Sequence, residues 1–131
     1  MSASIKTVQR AYDAFKALDS EGLVAVADPE IEFANSAAVP GGTYRGHTGV
    51  RRYMKEIEAF FGDRWDAEIE RVADVGHDRV ILLARIFGEG KAGEPLELHV
   101  AHVWELRDGK LLRGTVYPDP AEALAAVEAV P

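Results

Sequence analysis

LELHVAHVWELRDGKLLRGTVYPD, residues 96–119, decides how the rest of the chain is read. Its first arm alternates. Leu98, Val100, His102, Trp104 and Leu106 fall on one face and Glu97, His99, Ala101, Val103 and Glu105 on the other, the period-two pattern of a strand with one buried side. Arg107-Asp108-Gly109 then turns the chain, and two registers are open. A two-residue type I′ turn at Asp108-Gly109 sets Leu106 opposite Leu111 and puts Arg113, Thr115 and Tyr117 on the His102 face. A three-residue loop with Gly109 left-handed sets Leu106 opposite Lys110 and gives that face Leu112, Gly114 and Val116. The second is preferred because it sorts apolar residues onto one face, and a slip of one residue would turn every side chain of the arm over.

Working outward, residues 4–18 carry Ile5, Val8, Ala11, Tyr12, Phe15 and Leu18 at helical spacing. Asp19 caps a second, short helix that ends near Asp28, ahead of Pro29. Ile31 and Phe33 alternate with Glu32 in a strand running to Asn35, followed by a loop, SAAVPGGTYRG over 36–46, whose Pro40-Gly41-Gly42 marks irregular backbone. Thr48 opens a third helix with Val50, Tyr53, Met54, Ile57, Phe60 and Phe61 as its stripe, closed by Gly62. Strands follow over Trp65–Val72 and Arg79–Gly88, joined by a turn at Gly76-His77-Asp78. Asp119-Pro120-Ala121-Glu122 starts a terminal helix. Helices followed by mostly antiparallel strands make the class α+β, and 131 residues make one domain, 1–131.

Composition narrows the partners. A net charge of -7 argues against nucleic acid and against an acidic membrane surface. No apolar run reaches the roughly 20 residues of a membrane span, and the first ten residues lack the apolar core of a signal peptide, so a cytoplasmic location is expected. The absence of cysteine excludes disulfide and thiolate chemistry. His99 and His102 are three apart on a strand and face opposite sides, so with His47 and His77 they form no metal site; no metal and no cofactor is expected.

VQRAYDAF, DPEIEF, YRGHTGVRRYM and AHVWELRDGKLLRGTVYPDP together resemble the SnoaL-like branch of the NTF2-like superfamily, over nearly the whole chain. The resemblance implies a cone: a curved antiparallel sheet wrapped around an N-terminal helical hairpin, with a third helix, a C-terminal helix and an apolar pocket open at one end. Function does not follow from that scaffold, which hosts isomerases, cyclases, epoxide hydrolases and non-catalytic domains. Where ketosteroid isomerases carry an aspartate base, an oxyanion tyrosine and a protonated aspartic acid, this chain has Phe33, Ala11 and His102. The tyrosine, asparagine and arginine of limonene-type epoxide hydrolases match Phe33, Asn35 and Arg85, but their two aspartates fall on Phe87 and Val116. The polyketide cyclase histidine matches His102, and its acid/base aspartate falls on Val116.

His102 is therefore the first candidate for chemistry, since imidazole exchanges a proton near neutral pH. The plainer reading is a core histidine bonded to a carbonyl or a water. Arg85 is the second, able to hold an oxyanion, against a surface arginine in ion pairs. Asn35, Trp104, Phe33, Tyr44, Phe87 and Val116 are the expected substrate-binding residues, with Trp104 as a flat lining and Tyr44 as a lid. Two functions stay open. One is a cofactor-free cyclase, isomerase or lyase acting on an apolar, carbonyl-bearing small molecule. The other is a non-catalytic hydrophobic-ligand-binding or dimerisation domain, with a divergent epoxide-hydrolase-like enzyme as a third variant. Ala101, Val103, Leu111, Thr115 and Tyr117 are expected on the outer face, too apolar to be left in water, which with the habit of the family implies a homodimer through the sheet.

Overall fold

The computed structural model describes residues 3–35, 43–61, 65–89, 92–117 and 119–128. Of the expected loop over 36–46, residues 36–42 lie outside them, as does the helix stop at Gly62; Thr43–Arg45, expected in that loop, instead pair with residues 32–34 as a short strand, because Tyr44 is buried there against the Phe33 ring. The order is α1 (Ala3–Lys16), α2 (Ser20–Ala25), β1 (Ala27–Asn35), β2 (Thr43–Arg45), α3 (Gly46–Phe61), β3 (Trp65–Gly76), β4 (Arg79–Glu89), β5 (Pro95–Arg107), β6 (Lys110–Tyr117) and α4 (Pro120–Glu128). Asp19 caps α2 as expected, its carboxylate accepting the Gly22 N–H at 3.0 Å. Yet α2 stops at Ala25, short of Asp28. The cause is competition for backbone: the Leu111 N–H donates to the Val26 carbonyl at 2.9 Å, and Ala27 already pairs with Leu111. No helix among the described residues is long and apolar enough to cross a membrane.

The strands form one curved six-stranded sheet in the order β2-β1-β6-β5-β4-β3. Neighbours are antiparallel except β1 and β6, which run parallel. On the concave side α1, α2 and α3 bury Val8, Ala11, Tyr12, Phe15, Leu23, Val50 and Met54 against Ile31, Val80, Leu82, Ala84 and Leu111 of the sheet. On the other side α4 seats Ala123 against Ile81 and Ala101.

The hairpin corrects the preferred register. Asp108 (φ 52°) and Gly109 (φ 78°) form a two-residue turn with both central residues left-handed, Arg107 pairs with Lys110, and Leu106 faces Leu111. One residue later the ladder shifts. Glu105 pairs with Arg113, Trp104 with Gly114 and His102 with Val116, so Leu112 is an extra residue, a β-bulge. The bulge moves the slip from the turn into β6, and Gly114 and Val116 still share a face with His102, with Leu111 in place of Leu112. His102 and Val116 are thus directly opposite each other. Leu111, expected outside, is fully buried inside.

Arg107 ties this turn to β1. Its Nε donates to Asp28 Oδ2 at 3.2 Å, and its Nη2 reaches Asp28 Oδ1 at 3.0 Å and Glu30 Oε1 at 2.8 Å. The Glu30 N–H and then Arg107 hold the Asp28 carboxyl below the usual carboxylate range. A lowered folded pKa stabilises above the unfolded value of 3.8, and that stability is lost as pH falls through the folded value. Arg107→Ala is therefore expected to lower the melting temperature at pH 7 and to flatten the acid side of its pH profile. Thermal melts from pH 7 to pH 2 check this; a superimposable profile would show that the clamp contributes nothing.

Candidate functional site

Between α1 and the concave face lies a narrow cavity of about 40 Å³. Helices contribute Val8, Ala11, Tyr12, Phe15, Leu23, Val50 and Tyr53, and strands contribute Ile31, Phe33, His102, Trp104, Gly114, Thr115 and Val116. None of these carries a fixed charge. Trp104 can lie here because the residue facing it across the ladder is glycine: a Cβ built on Gly114 would run into Cζ3, Cε3 and Cη2 of the indole. Phe33 sits between Tyr44 (centroids 5.1 Å apart, stacked), Tyr53 (5.0 Å, edge-on) and Trp104 (6.1 Å).

His102 is 8% exposed, placed by β5 between Leu82 of β4 and Val116 of β6. Its ring meets that of Tyr12 edge-on, centroids 6.1 Å apart. Burial with no compensating charge lowers its pKa from 6.5 to about 4, so the imidazole is neutral at pH 7. Tyr12 was legible in the sequence only as a member of the apolar stripe of α1. In the fold its hydroxyl is buried with no hydrogen-bond partner among the described residues. Burial, with Asp66 adding to it, pushes that phenol's pKa up, so it stays an O–H donor. Tyr53 is raised the same way by burial, then by Tyr44 and Tyr12.

The structure brings His102, Trp104, Phe33 and Val116 together at the cavity. It does not bring Arg85 or Phe87 there. Arg85 lies on the opposite face, its Nε on Glu68 at 3.1 Å and its Nη1 on Glu97 at 2.8 Å, with the guanidinium over the Phe87 ring at 4.1 Å. It shares the outer face with Ile81, Leu83 and Phe87, while Val80, Leu82, Ala84 and Ile86 hold the inner face. A strand apolar on both sides gives parity without saying which side is in. Tyr44 backs Phe33 instead of lining the cavity, and its hydroxyl donates to Glu56 Oε2. Asn35 is placed by its backbone opposite Val116; its side chain lies outside the described residues. His47 bonds the Ala27 carbonyl at 3.0 Å and His99 meets Glu70 at 3.2 Å, both away from His102. Among the described residues no group of three or more acidic or histidine side chains could hold a metal ion.

The family model described as the SnoaL-like domain matches residues 8–114. No curated protein matches the sequence. Among solved structures, TerC co-crystallised with polyporic acid is similar, with 23% identity and a TM-score of 0.79 over 98% of this chain and 100% of that one. A SnoaL-like polyketide cyclase, so described, from Jannaschia sp. CCS1 has 16% identity and a TM-score of 0.77 over 98% and 94%. An epoxide hydrolase of the LEH-like type from M. tuberculosis has 16% identity and a TM-score of 0.71 over 96% and 90%. At these identities the likeness is one of fold.

The buried imidazole makes a prediction about acid. Folding disfavours the protonated form, so between pH 6.5 and about 4 the unfolded chain holds one more proton at this position, and stability falls as pH drops through that window. The loss is of order 3 kcal/mol across the interval. His102→Leu should lack it, so the wild type should lose stability relative to the variant as pH falls below 6.5. The histidine ring signals of the wild type, followed by NMR, should include one that titrates near pH 4 and vanishes in the variant. A His102 midpoint above 6 would contradict the burial.

Proposed function

The chain belongs to the SnoaL-like family, and from that membership we propose that its cavity takes a small, apolar, carbonyl-bearing molecule on which His102 moves a proton, as a cofactor-independent cyclase, isomerase or lyase. The observation that carries this is a buried, neutral imidazole set among lining residues that, of those described, carry no fixed charge. A neutral imidazole can accept a proton from the carbon next to a carbonyl and return it elsewhere on the same molecule. A pKa of about 4 makes it a weak base in the free protein, but the negative charge growing on the ligand would raise it during the step. Arg85, facing away, has no part in holding that charge. At about 40 Å³ the cavity must widen to admit even a single aromatic ring, which favours a small molecule over a steroid-sized one, and a similar fold co-crystallised with polyporic acid supports a small-molecule occupant.

A specific observation favours the second reading, a binding domain without catalysis: the residue directly opposite His102 is Val116, where a carboxylate would have paired with the imidazole. The epoxide-hydrolase-like variant loses its support with Arg85 outside and Phe87 and Val116 in place of acids. Mass spectrometry of the co-purifying ligand supplies the substrate, and His102→Ala is expected to abolish turnover of it while binding persists. Full turnover by that variant would sink the enzymatic reading. Val116→Asp sets a carboxylate with its Cβ about 4.5–5.5 Å from that of His102, at a desolvation cost of roughly 1–3 kcal/mol. It should raise the histidine midpoint well above 4 and move any pH–rate profile with it.

We also propose a homodimer through the outer sheet face. α4 covers Ala101, which narrows the surface expected from sequence, but Leu83, Val103 and Tyr117 stay half-buried beside it and Leu124 of α4 is 40% exposed. Sedimentation velocity at micromolar concentration should give a dimer. A purely monomeric profile would remove this proposal.

A further inference from the structure

We propose that the Tyr12 hydroxyl is the hydrogen-bond donor to the ligand's acceptor oxygen, and that the cavity thereby takes neutral carbonyl compounds and refuses their carboxylate counterparts. This rests on the cavity being a ligand site and adds to it the group that recognises the ligand and the charge class admitted.

Three observations carry it. Tyr12 is 4% exposed, and its hydroxyl is one of two buried side-chain polar atoms without a partner among the described residues; the other, Nε of Arg79, belongs to a residue that does not line the cavity. Buried polar groups are nearly always satisfied, so an orphan beside a cavity points to something in the cavity that satisfies it. The ring cannot turn away to find solvent. Val8, Ala11 and Phe15, on the same face of α1, are buried with it, and Phe15 (5.9 Å) and His102 (6.1 Å) hold two of its sides.

The second observation is what accompanies the hydroxyl. His102 stands against Tyr12 as the other polar ring, and Phe33 and Trp104 offer flat apolar surface for a conjugated ligand. The third is what is missing from the lining: among the described residues it contains no lysine and no arginine, and Arg85, expected there from the sequence, is held outside by Glu68 and Glu97. A carboxylate entering would lose its water and meet no counter-charge. A ketone or enone oxygen needs only the one donor that Tyr12 supplies. The upward shift of the phenol keeps that donor protonated across the physiological range.

The test uses three probes of one shape: acetophenone, ethylbenzene and benzoate, at pH 7, titrated by calorimetry into the full chain and into Tyr12→Phe and Tyr53→Phe. Acetophenone should bind at least about tenfold more tightly than benzoate, and Tyr12→Phe should weaken acetophenone about tenfold, equivalent to about 1.4 kcal/mol. Ethylbenzene should bind the wild type and Tyr12→Phe within about twofold of each other, because it makes no hydrogen bond. The carbonyl stretch of bound acetophenone should lie at lower frequency in the wild type and return towards its apolar-solvent value in Tyr12→Phe. Benzoate binding as tightly as acetophenone, an unchanged affinity and stretch in Tyr12→Phe, or a loss seen only in Tyr53→Phe would each overturn this proposal while leaving the cavity a ligand site. Failure of both neutral probes to bind would overturn the ligand-site reading and this proposal with it.

Discussion

Leu111 and Gly114 can both face the helices only because Leu112 is left out of the ladder between them. Side chains alternate strictly along a strand, so two residues three apart share a face only where an extra residue is inserted. Leu111 must be inside because it seals the start of β1, where Ala27 pairs with it and the backbone of α2 hands over to the sheet. Gly114 must be inside because the indole of Trp104 occupies the space a side chain would need. The bulge reconciles the two demands, and the composition of the cavity wall follows from it: indole, imidazole and valine in one patch, with no charge.

Charge is kept out of that patch by being satisfied elsewhere. Arg85 spans Glu68 and Glu97 on the outer face, and Arg107 spans Asp28 and Glu30 at the hairpin end. What remains inside is polar but neutral, an imidazole held unprotonated and phenols held protonated by the same loss of water. Such groups favour chemistry in which charge appears only during the reaction, and they disfavour ligands that arrive charged.

The relatives frame how far the fold can be taken. Cyclase-like and epoxide-hydrolase-like structures share the scaffold with this chain at 16% identity, and a shared fold does not fix a shared function. Among the described lining residues of this chain none is an acid, so the chemistry must be argued from His102 and Tyr12 on their own geometry.

Local pattern was enough for most of the elements; β2, three residues read as loop, becomes a strand only by pairing with β1. Period 3.6 marked α1 and α3, alternation marked β5, Asp19 and Asp119 announced the helices they precede, and the inward face of His102 followed from counting by twos. Those signals are local because propensity, capping and alternation act within a few residues. Three decisions belonged to the tertiary structure. Which face of β4 is inner was hidden, because VILLARIF is apolar on both sides and only the helices packed on one of them choose. The turn type was hidden because the same inner face could be reached by a bulge at Gly109 or at Leu112, and contact between Leu111 and β1, a partner some 80 residues earlier by the ladder, selects the second. The role of Tyr12 was hidden because on its helix it reads as one more apolar-stripe aromatic; it became an orphaned donor only when the sheet closed over its hydroxyl and brought His102 to its edge.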